Sequence, residues 1–364
     1  MAFVKNVWYP VVWSDKIGRE LTRHVIIEEP VVLFRRENGT VAALQDACPH
    51  RLAPLSLGKL IGDTVECGYH GMTFDCAGSC VRIPGQEIIP PNALVKSYPV
   101  EEKYGLVWIW MGDPALADTS KMFHLPQYGQ EGWHAVQGGT LRIECNYLSL
   151  CDNLLDPAHV TFVHKTTLGT PAGATIPVNN DYGDNAITVW RWLPKAPPIP
   201  LFANFGQMTG EVERWHYYHY TTPCFFDIDM GSAVAGTITD PEKRHEGVQM
   251  HSCHVLTPVD ERTVLQHWFH VRNFRTDEPE INDDLNAALD MAFNEDKVIL
   301  ERIQLEEERS SNQKRIILGI DAAPRKMRKM VDKLIEEEAK AEQEKAGAAK
   351  PRVVKANISA PAVA

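Results

Sequence analysis

Between residues 48 and 70 the chain reads Cys48-Pro49-His50, then sixteen residues, then Cys67-Gly68-Tyr69-His70. No other feature constrains the fold as tightly. Each short loop offers one thiolate and one imidazole, the donor set of a two-iron, two-sulfur cluster in which two histidines replace two cysteines on one iron. Swapping anionic for neutral ligands makes such a cluster easier to reduce, and it passes one electron at a time. Tetrahedral zinc uses the same donor types, but its common spacing sets Cys beside Cys and His beside His. Pro49 stiffens one turn, and Gly68 and Gly71 are expected to let backbone approach inorganic sulfide without a Cβ in the way. Cys76 and Cys80 fall outside the pattern and read as ordinary thiols.

A chain of 364 residues with 44% hydrophobic content can bury two cores. We expect an α+β protein: residues 1–115 an all-β domain holding the cluster, 116–335 a catalytic domain with a central antiparallel sheet and flanking helices, and 336–364 a charged helix end and disordered tail. The formal charge is −11, and no basic stretch interleaved with aromatics could track a phosphate backbone, so nucleic acid is not an expected partner. The amino terminus shows no charged leader with an apolar run, and no 18 uncharged apolar residues occur together. The expectation is a soluble, cytoplasmic protein with no membrane partner. Eight cysteines fit a reducing compartment better than a disulfide framework.

Short β signals fill the first 110 or so residues. Val31–Phe34 and Val41–Leu44 flank Glu37-Asn38-Gly39, a hairpin signal for a two-residue Asn-Gly turn. Thr64–Glu66, Leu94–Lys96 and Leu106–Trp110 complete a small antiparallel unit. Residues 113 to 140 read as loop. Further strands are expected at Ile187–Trp192, Glu211–Tyr220, Phe225–Met230, Gln249–Leu256 and Thr263–Arg272. Ile281–Glu308 reads as a long helix with Leu285, Leu289, Phe293, Val298 and Leu305 on its apolar stripe, and Arg325–Lys345 as a charged helix.

A second metal signal lies in Asp152–His164. His159 and His164 are five apart, which on an ideal helix separates them by about 140°. Pro157 distorts a helix here and can bring both imidazoles to one point. Two imidazoles and one carboxylate with open positions suit non-haem iron(II). On the late helix, Asp296 lies three residues from Phe293 and four from Leu300, toward the packed side, while Glu295 is expected to point outward. A carboxylate facing a core needs an ionic partner, which iron supplies.

Taken in order, Cys48-Pro-His50-Arg51, Cys67-Gly-Tyr-His70-Gly71, Asn153-Leu-Leu-Asp-Pro-Ala-His159, Ile83-Pro-Gly-Gln86 and Trp108–Asp113 resemble the oxygenase component of the Rieske non-haem iron oxygenases, most nearly the vanillate O-demethylase, toluenesulfonate methyl-monooxygenase and dicamba demethylase branch. The resemblance implies a Rieske domain followed by a helix-grip catalytic domain. It also implies a [2Fe-2S] cluster on Cys48, His50, Cys67 and His70, and mononuclear Fe(II) on His159, His164 and Asp296. Oxygen is the implied co-substrate, with NAD(P)H electrons arriving through a separate reductase of flavin or ferredoxin type; no Gly-x-Gly-x-x-Gly fingerprint places that activity in this chain.

The same resemblance implies a head-to-tail homotrimer with electron transfer between subunits, through Asp156 joining His70 of one subunit to His159 of the next. The implied substrate is a small aromatic compound, and oxidative O-demethylation of a methoxyaromatic leads over methyl hydroxylation and ring dioxygenation. An electron-transfer protein without oxygenase chemistry is the reading from another class. His254 occupies a position that lines the pocket in such demethylases, though a satisfied structural histidine is an equal reading. Asp227 and Asp229 share one strand face, which would disfavour an anionic substrate if it faced inward.

Overall fold

The computed structural model describes residues 2–238, 240–310 and 313–348; of the tail expected from Ala346 on, the part beyond Ala348 lies outside the described residues, and the helix before it runs on through Ala346–Ala348. Ten short strands come first: β1 Trp8–Trp13, β2 Thr22–Ile26, β3 Glu29–Arg35, β4 Val41–Gln45, β5 Lys59–Ile61, β6 Thr64–Glu66, β7 Thr73–Phe74, β8 Cys80–Arg82, β9 Val100–Lys103 and β10 Leu106–Trp110. They form three antiparallel sheets, ordered β1-β10-β9, β2-β3-β4 and β5-β6-β7-β8. The hairpin at Gly39 is present, but its loop holds three residues rather than two: the Arg36 N–H reaches the Thr40 carbonyl, with Gly39 at φ +87°. That left-handed position is the one glycine takes without steric cost. Leu94–Lys96 is not a strand; its neighbourhood contributes isolated bridges at Leu94 and Ser97.

Two cores lie behind these strands. Val32, Phe34, Leu44, Leu55, Val65 and Phe74 pack with Cys48 and Cys67 into a small core directly under the ligand loops. β10 is buried at every position, as a continuous apolar run should be when covered on both faces, and its Trp108 and Trp110 join the larger core of the second half of the chain. Backbone bonds from Ile27 and Glu28 N–H to the Pro258 and Val259 carbonyls (2.8 and 2.7 Å) tie the β2–β3 turn to that half.

The second half contains β11 His134–Ile143, α1 Tyr147–Leu154, α2 Val160–Val163, β12 Asn179–Tyr182, β13 Ala186–Ala196, α3 Pro200–Asn204, β14 Val212–Thr221, β15 Phe225–Val234, β16 Val248–Asp260, β17 Thr263–Arg272, α4 Asn282–Arg309 and α5 Ala322–Ala348. One antiparallel sheet runs β11-β17-β16-β15-β14-β13-β12. The stretch expected to be loop up to residue 140 therefore includes an edge strand. Gly138 and Gly139 hide it: a Cβ at Gly138 would sit 2.1 Å from the Trp268 ring, so glycine is there to admit the indole.

Helix α4 lies across the sheet, with the Phe293 ring 4.7 Å from His254 and 5.1 Å from Trp268. Its buried stripe is Leu285, Leu289, Ala292, Phe293, Asp296 and Leu300. Val298 and Leu305, expected on that stripe, are exposed; Val298 is off the face by its helical angle, and Leu305 lies beyond the last buried position, Leu300. Helix α5 returns to the amino terminus, where Glu338 accepts the Lys5 and Asn6 N–H groups (2.8 and 2.7 Å), and Arg328 forks onto Asp152 of α1 (2.6 and 3.0 Å).

Candidate metal centres and the cavity beneath the helix

Each cluster loop is closed by its own turn bonds. Leu52 N–H reaches the Cys48 carbonyl at 2.8 Å, and Gly71 N–H the Cys67 carbonyl at 3.0 Å. Protein packing also requires the glycines: a Cβ at Gly68 would meet the Leu57 carbonyl at 2.7 Å, and one at Gly71 would meet Pro84 at 2.9 Å. Pro84 belongs to the Ile83–Gln86 loop, which covers a cavity shared with His50 and His70. The two sulfurs are buried while both imidazoles are exposed, their rings 4.7 Å apart. Burial pushes the Cys48 thiol up to about 11, and the adjacent Cys67 adds to the shift against a His50 N–H. A buried thiol that gains from a nearby positive charge, set beside a second sulfur, is a fit for a cationic iron pair. Cys76 and Cys80 bond to the Asp63 and Arg82 carbonyls, and all eight cysteines are unbridged.

Pro157 breaks the second site as expected. Helix α1 stops at Leu154, the chain turns, and α2 resumes at Val160, with His159 and His164 at its two ends. Their donor atoms and one Asp296 oxygen all lie within 4.8 Å of one another. The outer nitrogens are committed elsewhere. His159 Nδ1 donates to the Asp156 carbonyl, and His164 Nδ1 bonds Glu295 Oε2 at 2.8 Å. The inner nitrogens converge: His159 Nε2 and His164 Nε2 are 3.5 and 3.2 Å from the Asp296 carboxylate. A metal held by two Nε2 atoms and one carboxylate fits this point.

Electrostatics agree with that donor set. Burial raises the Asp296 carboxyl, but the His164 bond, both imidazoles and the Asn153 amide (3.0 Å) outweigh it and hold the group below its ordinary value. Burial lowers His159 below its ordinary value; His164 ends above its own, because Asp296 and Glu295 overcome the burial. Glu295 was expected to point outward. It instead orients His164 and accepts from Thr167 Oγ1 at 3.1 Å. Asn153, also overlooked, steadies Asp296; only its position one turn ahead of the Asp-Pro break could have signalled it.

A narrow cavity of about 30 Å³ opens from the ligands, lined by Leu168, Tyr218, Ile228, Met230, Ser252, His254 and Phe293. His254 is both pocket-lining and satisfied: Gln266 Nε2 donates to its Nδ1 at 2.7 Å, so its Nε2–H is free to donate to Ser252 Oγ at 3.0 Å. Ile228 and Met230 face this cavity, so Asp227 and Asp229 face the other side of β15, where they meet His251 and Arg244. The objection they raised to an anionic substrate does not hold.

A one-electron carrier and an iron site with open coordination positions, on one chain, define the oxygenase component of a Rieske-type monooxygenase fed by a separate reductase. Residues 7–99 match the Rieske [2Fe-2S] domain, and residues 143–337 match the vanillate O-demethylase oxygenase C-terminal domain; the chain belongs to this oxygenase family. It is 36% identical to the toluene-4-sulfonate monooxygenase system iron-sulfur subunit of Comamonas testosteroni, over 92% of this chain and 98% of that one. With the vanillate O-demethylase oxygenase subunit of Pseudomonas sp. strain HR199 it shares 32% identity over 95% and 98%. The crystal structure of dicamba monooxygenase with non-heme iron and dicamba superposes with a TM-score of 0.79 at 30% identity, covering 94% and 100%. The cofactors are thus a Rieske cluster on the first lobe and a mononuclear iron on the second. Among the described residues no helix is long and apolar enough to cross a membrane.

Proposed function

We propose that this oxygenase acts on a small methoxyaromatic compound by oxidative O-demethylation. Residues 1–115 carry the cluster and 116–335 the iron site, with 336–364 outside both, in a reducing cytoplasm. The carrying observation is that the His159, His164 and Asp296 donors open onto a cavity walled by Tyr218, Ile228 and Phe293, with Ser252 and His254 as its polar corner. Relatives named for vanillate and dicamba support the same reading.

Bound at these residues, cluster and iron supply electrons one at a time and the activation of oxygen. The chain's own part is positional. Burial holds His254 down to about 4, so its imidazole is neutral at pH 7. Because His254 donates to Ser252, the Ser252 hydroxyl keeps its own proton for a substrate oxygen. Apolar walls exclude water, and an aromatic guest enters only as the flexible Met230 and Leu168 side chains swing aside. Overall, Ar–OCH3 with O2, two electrons and two protons gives Ar–OCH2OH and water; the hemiacetal then falls to a phenol and formaldehyde.

The reading extends to a head-to-tail homotrimer, with Asp156 joining His70 of the partner subunit to His159. Exposed apolar side chains support it: Leu52, Leu57 and Tyr69 around the cluster loops, and Ile316 and Ile317 in a cavity that Asp156 and His159 also line. Formaldehyde measured against oxygen uptake, with a surrogate reductase and a methoxyarene panel, tests the chemistry; alcohol or diol products without formaldehyde would overturn it. Asp156→Asn should keep both metals yet lose turnover by ~10²-fold or more, and normal turnover in a fully metallated variant would remove the bridging role.

A further inference from the structure

The cavity that opens from His159, His164 and Asp296 measures about 30 Å³. That is room for one water-sized guest, whereas a pocket that takes benzene measures about 150 Å³. Oxygen can therefore reach the ligands while the cavity is still too small for an aromatic ring. With no substrate bound, its nearest neighbours are the walls. Tyr218 and Phe293 offer rings, Ile228 and Leu168 offer aliphatic C–H bonds, and Met230 offers a thioether. Met230 belongs to β15 and is 5% exposed, so solvent has little access to its sulfur.

These walls differ in how they take up an oxygen atom. Hydroxylation of Ile228, Leu168 or either ring replaces a C–H bond, whereas a thioether accepts oxygen at a sulfur lone pair and keeps all of its own bonds. Its stem is also unbranched and its sulfur polarizable, so it adapts to whatever shares the cavity. Two other methionines bracket Met230. The chain has ten, and among the described residues Met230 is the one that lines this cavity. Met250 faces it across β15 and β16 and is fully buried, yet does not line the cavity. Met291, on α4, is 58% exposed. Oxidation that follows burial, exposure or the cavity would thus fall on three different patterns.

We propose that Met230 is a site of oxidative self-modification: when oxygen and reductase electrons reach the iron site before an aromatic guest does, the oxygen atom goes to the Met230 sulfur. The thioether, O2, two electrons and two protons give the sulfoxide and water. An S–O bond forms as the O–O bond breaks; sulfur gives up two electrons, the reductase supplies the other two, and both protons leave in the water. The product turns a pliable apolar wall into a polar one, and methionine sulfoxide reductases reverse the change. The inference rests on iron held by His159, His164 and Asp296 but not on demethylation.

The test is peptide mass spectrometry on the cluster- and iron-loaded protein after incubation with a surrogate reductase, NADH and oxygen, with catalase present and no aromatic compound. Met230 should gain one oxygen atom, about 16 Da, at least ~10-fold more often than Met250 or Met291. Isotope-labelled O2 should leave its label on that sulfur. Protein carrying the cluster without mononuclear iron, or kept anaerobic, should leave Met230 unmodified. Oxidation led by exposed Met291, or shared equally with Met250, would mark an oxidant loose in solution or in the core and overturn the proposal. Oxygen found on Tyr218 or Phe293 in place of Met230 would overturn the choice of sulfur, and modification that persists without mononuclear iron would overturn the iron site as its source. An unmodified Met230 in protein that still releases formaldehyde from methoxyarenes sinks this inference alone; a modified Met230 in protein that releases none sinks demethylation alone.

Discussion

The residues proposed as cluster ligands and those proposed as iron ligands are mounted in opposite ways. His50 and His70 ride on loop tips in solvent, whereas His164 and Asp296 are 2% and 6% exposed, Asp296 on the inner face of the long helix α4. An electron carrier works by being approached, and each exposed imidazole edge shortens the path to a partner. A site that handles oxygen works by excluding water, and depth strengthens each of its electrostatic contacts. The supports differ accordingly. Turn hydrogen bonds shape the cluster loops, while His164 and Asp296 are oriented by side chains from distant elements, Glu295 and Asn153.

The sharpest break of this contrast is Asp296→Ala. Removing the one carboxylate between two imidazoles should abolish mononuclear iron binding and lower turnover by about 10³-fold or more, with the visible spectrum of the cluster unchanged. A lost cluster spectrum would mean that the two lobes are not separable in this way. Glu295→Ala is milder. It frees His164 Nδ1, and second partners of ligand histidines typically matter by roughly 10–100-fold in metal affinity or activity. Iron content titrated against turnover measures it, and Glu295→Gln, which can still accept the bond, should recover most of the loss. An unchanged Glu295→Ala variant would show that the buried site needs no more support than the exposed one.

The grouping of the proposed ligands was legible because short-range spacing carries it: two mixed Cys/His loops, and two histidines either side of a proline break. Asp296 was legible as an acid on an apolar stripe. Glu295 was not, since its role depends on where His164 swings after α2 ends, a tertiary fact. Strand β11 was masked by Gly138-Gly139, residues that serve Trp268 far along the chain. Likewise the direction of Asp227 and Asp229 followed from which face of β15 met α4, and alternation alone leaves that choice open.

The contrast between the lobes extends to how each holds a buried acid away from its metal. In the cluster lobe Asp46 is paired with Arg23 and accepts from Ser56 N–H and Oγ (2.7 and 2.8 Å), and a guanidinium does not titrate in any mild range. In the catalytic lobe Asp227 is paired instead with His251 Nδ1 at 2.9 Å. Burial lowers His251, but Asp227 overcomes this and leaves it above its ordinary value. A raised histidine contributes stability fully below its unfolded value of about 6.5 and loses that contribution as pH rises through its folded value. The catalytic lobe should therefore soften with mild alkalinity while the cluster lobe does not. Asp227→Asn removes the partner, so the difference in Tm between wild type and variant, followed by tryptophan fluorescence, should be largest near pH 6 and shrink toward pH 9. Melts followed by cluster absorbance under the same conditions should show little change in that difference if the lobes unfold separately. A wild-type-minus-variant gap that stays constant from pH 6 to 9 would mean that His251 does not gain its proton from this pair, and the two lobes would then be alike in holding their buried acids by groups that do not titrate.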